Sequence, residues 1–255
     1  MRKAYFDGHV KIYLEGDASD YRGSTLITGF RGFGMVGYNV SKYLALGLWA
    51  RKVGYVLSKP MPPMVVVEED GPGFPFDIYY SPRARALIVV NRALPEREHA
   101  DIYVEALSLM AKEIGVKLAV LVGGLNSQFK PEGERYEYRY LANEFYGGPE
   151  LDAPEMEEGL GVMGPLALLY MYMTYDEVPS IIILPYAIAD RIDVNAARTG
   201  IRIIAEKILN TRVNTKPLDE YERRLSIEKE KLLEAILPMM QQAEEEKEER
   251  KGMYM

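Results

Sequence analysis

The sharpest spacing in this chain that could serve chemistry is Gly32-Phe33-Gly34-Met35-Val36-Gly37. A GxGxxG that follows a strand and opens a helix presents backbone N–H groups and a helix N-terminus to a pyrophosphate. The partner feature of such a turn is an acidic residue closing the next strand, where it would hold the ribose hydroxyls. Here that strand, Val53–Ser58, runs into Lys59, a residue suited at most to a 2′-phosphate. Glycines also permit a tight turn and close helix–sheet packing in any α/β fold, and that second reading stands beside the first. The two histidines, His9 and His99, have no further ligand at metal-binding spacing. A GxSxG nucleophile motif is absent. The acidic clusters Glu68-Glu69-Asp70 and Glu155, Glu157 and Glu158 fall in loop-like sequence with no basic residue placed to make them catalytic. No catalytic, cofactor-binding or metal-binding residue is assigned, no cofactor is expected, and the chain does not read as an enzyme.

Two further segments read as contact surfaces. Gly123-Gly124-Leu125-Asn126 follows the apolar run Leu118–Val122, at the strand end where ligands of parallel sheets bind. Tyr136, Tyr138, Tyr140, Phe145 and Tyr146 then form an aromatic stretch, read as a loop that serves either an interface or the core. At the C-terminus, Met253-Tyr254-Met255 follows the charge run Ala243–Lys251. An apolar side chain, a penultimate tyrosine and a terminal carboxylate together suit a plug that enters a pocket carrying a cation. The acidic segment before it gives such a plug reach. With 19 tyrosines in the chain, chance also produces this ending.

The elements that would position these residues alternate. Ser24–Phe30, Val53–Ser58, Met64–Val67, Phe76–Tyr80, Ala86–Asn91, Leu118–Val122 and Ser180–Leu184 read as strands. Met35–Trp49, Glu96–Ile114 and Asp193–Leu209 carry helical periodicity. Pro165 marks the first residue of a short buried helix. Continuously apolar strands between helices imply a three-layer α/β/α core with a mainly parallel sheet. Asp219–Gln242, free of glycine and rich in Glu, Lys and Leu, predicts a long amphipathic C-terminal helix. The expected organisation is an α/β core over residues 1–217, a charged helical segment over 218–250 and a flexible tail over 251–255.

Composition narrows function further. The 255 residues carry a net charge of −7, which disfavours a protein whose task is gripping nucleic acid. The absence of cysteine removes disulfides, thiol nucleophiles and zinc–thiolate sites. The first residues lack the apolar stretch of a signal peptide. The uncharged run Gly159–Tyr175 is too short to span a bilayer. A cytoplasmic protein without membrane or nucleic-acid partners is expected.

Thr28-Gly29-Phe30, Gly34-Met35-Val36-Gly37, Val120-Leu121-Val122-Gly123-Gly124, Gly161-Val162-Met163-Gly164-Pro165 and Asp193-Val194-Asn195-Ala196-Ala197 occur in that order, followed by a Glu/Lys-rich helix. In this order and spacing the chain resembles the proteasome-assembling chaperone 2 family over about Gly23–Ile236. The resemblance implies a phosphorylase/hydrolase-like α/β/α core without an established enzymatic activity, homo-oligomers, and association with the proteasome core particle. It implies that Met253, Tyr254 and Met255 form the hydrophobic–tyrosine–X ending that docks between α-subunits, its carboxylate meeting a pocket lysine. It also implies that the glycine turn belongs to the fold. The abundance of Glu, Lys and Arg without cysteine fits a thermophilic archaeon. The alternative left open is a nucleotide-like ligand on Gly32–Gly37, and a third is a scaffold that pairs through the Tyr136–Tyr146 stretch.

Overall fold

Runs such as Ala86–Val90 and Leu118–Val122 are apolar at every position, so they must be covered on both faces. A computed structural model, which describes residues 2–6, 8–68 and 71–231, shows how. The strands are β1 (Arg2–Phe6), β2 (Val10–Leu14), β3 (Thr25–Gly29), β4 (Arg51–Ser58), β5 (Val66–Glu68), β6 (Gly71–Gly73), β7 (Phe76–Ser81), β8 (Ala86–Asn91), β9 (Leu118–Val122), β10 (Leu125–Asn126), β11 (Tyr138–Ala142) and β12 (Ser180–Ala187). The helices are α1 (Val36–Gly47), α2 (Ala100–Ile114), α3 (Pro165–Tyr175), α4 (Val194–Ile203) and α5 (residues 216–231).

The main sheet runs β1-β2-β4-β7-β8-β3-β9-β12-β10, with β11 also pairing to β12. Its centre, β8-β3-β9-β12-β10, is parallel, as the alternation of strands and helices requires. On one side it continues as the antiparallel strands β7, β4, β2 and β1, and β11 runs antiparallel to β12 on the other. β5 and β6 form a separate hairpin. Leu26, Val89, Leu121 and Ile182 face one way, into a core with Tyr103, Leu107, Leu169 and Met173 of α2 and α3. The intervening Ile27, Ile88, Val120 and Ile183 are buried on the opposite face, the side of α1 and α4. This is the expected three-layer arrangement.

Local signals set the helix ends. α2 stops at Gly115, whose φ of 70° is the left-handed geometry that closes a helix. α3 opens on Pro165, where no N–H is needed. Asp193 caps α4, its carboxylate accepting from the Ala196 N–H at 3.0 Å. α4 continues through a π turn over Ile204–Ile208. The chain divides into two units after Asn214. In the second, the amides of Leu218 and Asp219 both donate to the Thr215 carbonyl and start α5, whose described part reaches residue 231. Among the described residues no helix is long and apolar enough to cross a membrane.

Candidate functional site

β3 and β9 are parallel neighbours with Gly29 level with Val122, so the loops after them emerge side by side. This places Gly32–Gly37 and Gly123–Asn126 on one sheet edge. They touch directly: a methyl group on Gly124 would lie 2.5 Å from the Phe33 carbonyl oxygen. Gly34, with φ of 60°, lies under a third loop, and a methyl there would lie 2.9 Å from the Asp193 Cβ and 3.0 Å from that of Ala187. Asp193 fastens that loop. Its N–H donates to the Gly34 carbonyl at 3.0 Å, and its carboxylate accepts from Ile188 N–H at 2.9 Å while capping α4. The glycines bring three loops into contact. The strand after α1, β4, is separated from β3 by β7 and β8. A dinucleotide unit needs that strand beside the first, so Lys59 is not where a ribose or its phosphate would be held.

Two arginines organise the charge. Arg92 follows β8 and is 3% exposed. Its Nε donates to Glu68 at 2.9 Å, Nη1 donates to Asp77 at 2.6 Å and to the Phe74 carbonyl at 3.0 Å, and Nη2 donates to the Tyr79 hydroxyl at 3.0 Å. Lys42 of α1 reaches Glu68 at 2.9 Å and Lys52 reaches Asp77 at 2.8 Å. Burial opposes charge on Glu68, but the hydrogen bonds from Lys42 and Arg92 outweigh it and hold its pKa below the ordinary carboxylate value. Arg139, equally buried, bonds Glu157 at 2.7 Å and Glu134 at 2.6 Å. Glu68 and Glu157 are therefore anchored ion-pair partners rather than free loop carboxylates. Glu69 and Asp70 lie outside the described residues. Glu68 thus clamps the β5–β6 hairpin and Glu157 the 134–157 region, while Glu155 and Glu158 are exposed.

The aromatic stretch is also corrected. Residues 138–142 are strand β11, paired along β12. Tyr138 is buried, and Tyr136, Tyr140, Phe145 and Tyr146 are half-buried, so none of the five is an exposed loop aromatic. β-branched and aromatic content signals a strand as readily as an interface. Beside β11 lies an open cleft of about 740 Å³ lined by Tyr138, Asp152, Arg202 and Lys207. Two of its cations pair with carboxylates of its own wall, Lys207 with Asp152 at 3.1 Å and Arg202 with Glu137. Tyr138 donates to Asp152 at 2.8 Å, and burial, reinforced by that carboxylate, pushes the phenol pKa up.

His9 and His99 are brought within 6.1 Å, ring centre to ring centre. Among the described residues no group of three or more His, Asp or Glu side chains could hold a metal ion. Met253, Tyr254 and Met255 lie outside the described residues. Sequence reading missed the two buried arginines, which nothing in their spacing distinguishes from surface arginines. It also missed the outward side of α3, where Met171 and Tyr175 are exposed. The signal was present there as the uncharged run itself.

Among curated proteins none matches this chain. Among solved structures, Pyrococcus furiosus PbaA, described as an archaeal homolog of proteasome-assembly chaperone, shares the fold at 19% identity and a TM-score of 0.73, covering 97% of this chain and 100% of that one. Pyrococcus furiosus PbaB, described as an archaeal proteasome activator, matches at 19% identity and a TM-score of 0.67, covering 88% and 98%. A Thermoplasma acidophilum protein with unknown function matches at 17% identity and 0.66, covering 89% and 93%. At these identities the likeness is one of fold. The family model for the PAC2 family matches residues 26–233, from the first central strand into α5, and the chain belongs to that family.

Proposed function

We propose that this chain is a non-enzymatic, proteasome-associated chaperone or activator that assembles with copies of itself and docks its C-terminal tail into α-ring pockets of the proteasome core particle. The observation that carries this reading is PAC2 membership joined to a fold shared with both PbaA, described as a chaperone homolog, and PbaB, described as a proteasome activator. The residues support it in two ways. Met253-Tyr254-Met255 has the chemistry of a plug, with an apolar side chain, an aromatic ring and a carboxylate in series behind an acidic, lysine-containing segment. The buried arginines of the core spend their donors on the protein's own carboxylates, and Gly34 and Gly37 of the turn are packed against neighbouring backbone and loops, which fits a scaffold better than an enzyme or nucleotide binder. Several tails on one oligomer gain avidity when their spacing matches adjacent pockets. The same reading carries a cytoplasmic location.

The test is binding to purified core particle by the intact chain and by one ending at Gly252. Binding that needs the last three residues supports the tail mechanism. Equal binding by both forms moves the interface onto the folded core, and no binding by either removes the proteasome from the reading. Peptide hydrolysis in the same samples separates gate opening from assembly.

A further inference from the structure

α3 is apolar on both its sides, yet the described residues cover only one of them. Leu166, Leu169 and Met173 are buried against the sheet and α2. At 100° per residue, Leu168, Met171 and Tyr175 fall on the opposite side, at positions i, i+3 and i+7 of a single stripe whose first member, Leu168, is half-buried against the core. Met171 is 63% exposed, Tyr175 84%, and Met163 just before the helix 83%. No residue from Gly159 to Tyr175 is charged. A helix apolar all round belongs between two layers, and the described residues supply only one.

The margins of the stripe say which kind. Asp101 and Glu105 stand on α2, the helix packed against α3, and their charge reaches Tyr172 on one flank of the stripe, while that of Glu144 and Glu155 reaches Tyr170 on the other. The stripe is thus apolar and methionine-bearing with carboxylates on both flanks. A second copy meeting it across a two-fold axis would set acid against acid. The exposed side chains offer on the order of a few hundred Å², short of the ~800 Å² per partner that a stable globular interface takes. That area suits one helix seated by three anchors, and methionine adapts readily to such guests.

We propose that the outward face of α3 is a docking surface for an amphipathic helix of a partner protein, one that seats apolar side chains on Leu168, Met171 and Tyr175 and carries lysine or arginine along both flanks. This proposal does not rest on the tail and stands whether or not the tail binds a proteasome.

The experiment uses the full chain and two synthetic helical peptides of about 16 residues, long enough to hold helix against α3. Both present leucines at i, i+3 and i+7. One is flanked by lysines and the other by glutamates. Fluorescence anisotropy should show the lysine peptide binding at least about tenfold tighter than the glutamate peptide, with the gap closing at high salt. Met171→Glu and Tyr175→Glu, both at solvent-exposed positions that tolerate charge, should each abolish binding. Asp101→Lys combined with Glu144→Lys should erase the preference without abolishing binding. Failure of the lysine peptide to bind, or equal binding of both peptides, overturns the proposal. A fall in solution mass on Met171→Glu overturns it as well, since the face would then belong to a second copy.

Discussion

A methyl group placed on Gly37 would lie 2.5 Å from the Val122 carbonyl oxygen and 2.6 Å from that of Phe30, all of it backbone that cannot swing aside. Gly37 is therefore where α1 touches the sheet. Gly32, the first glycine of the same turn, has no atom within 4 Å of such a methyl and an extended φ of −160° that any residue adopts. Gly37→Ala should cost about 3 kcal/mol in denaturant unfolding, the scale of overpacking a tight contact. Gly32→Ala should be nearly neutral. A turn built to cradle a phosphate would tolerate change at Gly32 poorly, so a large loss of stability or of nucleotide binding there would reverse this assignment.

The same turn shows what the sequence made legible. Strand–turn–helix was readable because apolar runs and glycines are local signals, and β3, α1, β8, α2 and β9 lie where their periodicity put them. What the glycines do was not readable, because it depends on strand order, and β4 is separated from β3 by two strands supplied from later in the chain. β2 and β11 were missed because their alternation carries tyrosine and lysine or arginine at every second place, as an edge or a loop does. Arg92 and Arg139 were invisible for the same reason as their partners: Glu68 is 24 residues from Arg92, and Glu157 is 18 from Arg139. The tail reading comes from sequence alone, from the chemistry of three residues that lie outside the described ones.

Arg92 and Asp77 meet at 2.6 Å with Asp77 wholly buried. Removing the guanidinium leaves that carboxylate with Lys52 and the Phe74 N–H, and takes one donor from the Phe74 carbonyl and one from the Tyr79 hydroxyl. Arg92→Ala should destabilise the fold by about 3 kcal/mol, the cost of breaking a buried pair from one side. Arg92→Met, which fills the volume without supplying charge, should lose nearly as much while Asp77 remains. Asp77→Asn in the Arg92→Met background should recover part of the loss, and a double-mutant cycle measures the coupling directly. Additive costs would mean that the pair is not a unit.

Glu68 carries a pH dependence of definite sign. Its folded pKa is depressed by Lys42 and Arg92 against the opposing effect of burial. The stability it contributes is therefore complete above the unfolded value of about 4.3 and is lost as pH falls through the depressed folded value. Glu68→Gln should cost about 2 kcal/mol at pH 7, the range for hydrogen bonds to charged groups. The difference between the two proteins should narrow as unfolding is measured down from pH 5 into the acid range. A constant difference across that range would show that Glu68 acts by shape and not by charge.

Tyr254 is the residue on which the tail mechanism turns. In a plug that carries apolar, aromatic and carboxylate groups in series, the ring supplies most of the buried area, and anchoring aromatics of this kind cost 2 kcal/mol or more when truncated, roughly thirtyfold per tail. An oligomer that engages several pockets multiplies that loss, because each released tail also lowers the effective concentration of the others. Tyr254→Ala should therefore abolish measurable binding to the core particle while leaving the unfolding midpoint of the 26–231 fold unchanged. Adding residues after Met255 should do the same, since it removes the carboxylate from its place. Raised salt should slow association more than it speeds release, because the acidic stretch Glu244–Glu249 steers the approach without entering the pocket. Should the extended chain bind as tightly as the intact one, the carboxylate is not part of the contact and the plug geometry fails, whatever Tyr254→Ala does.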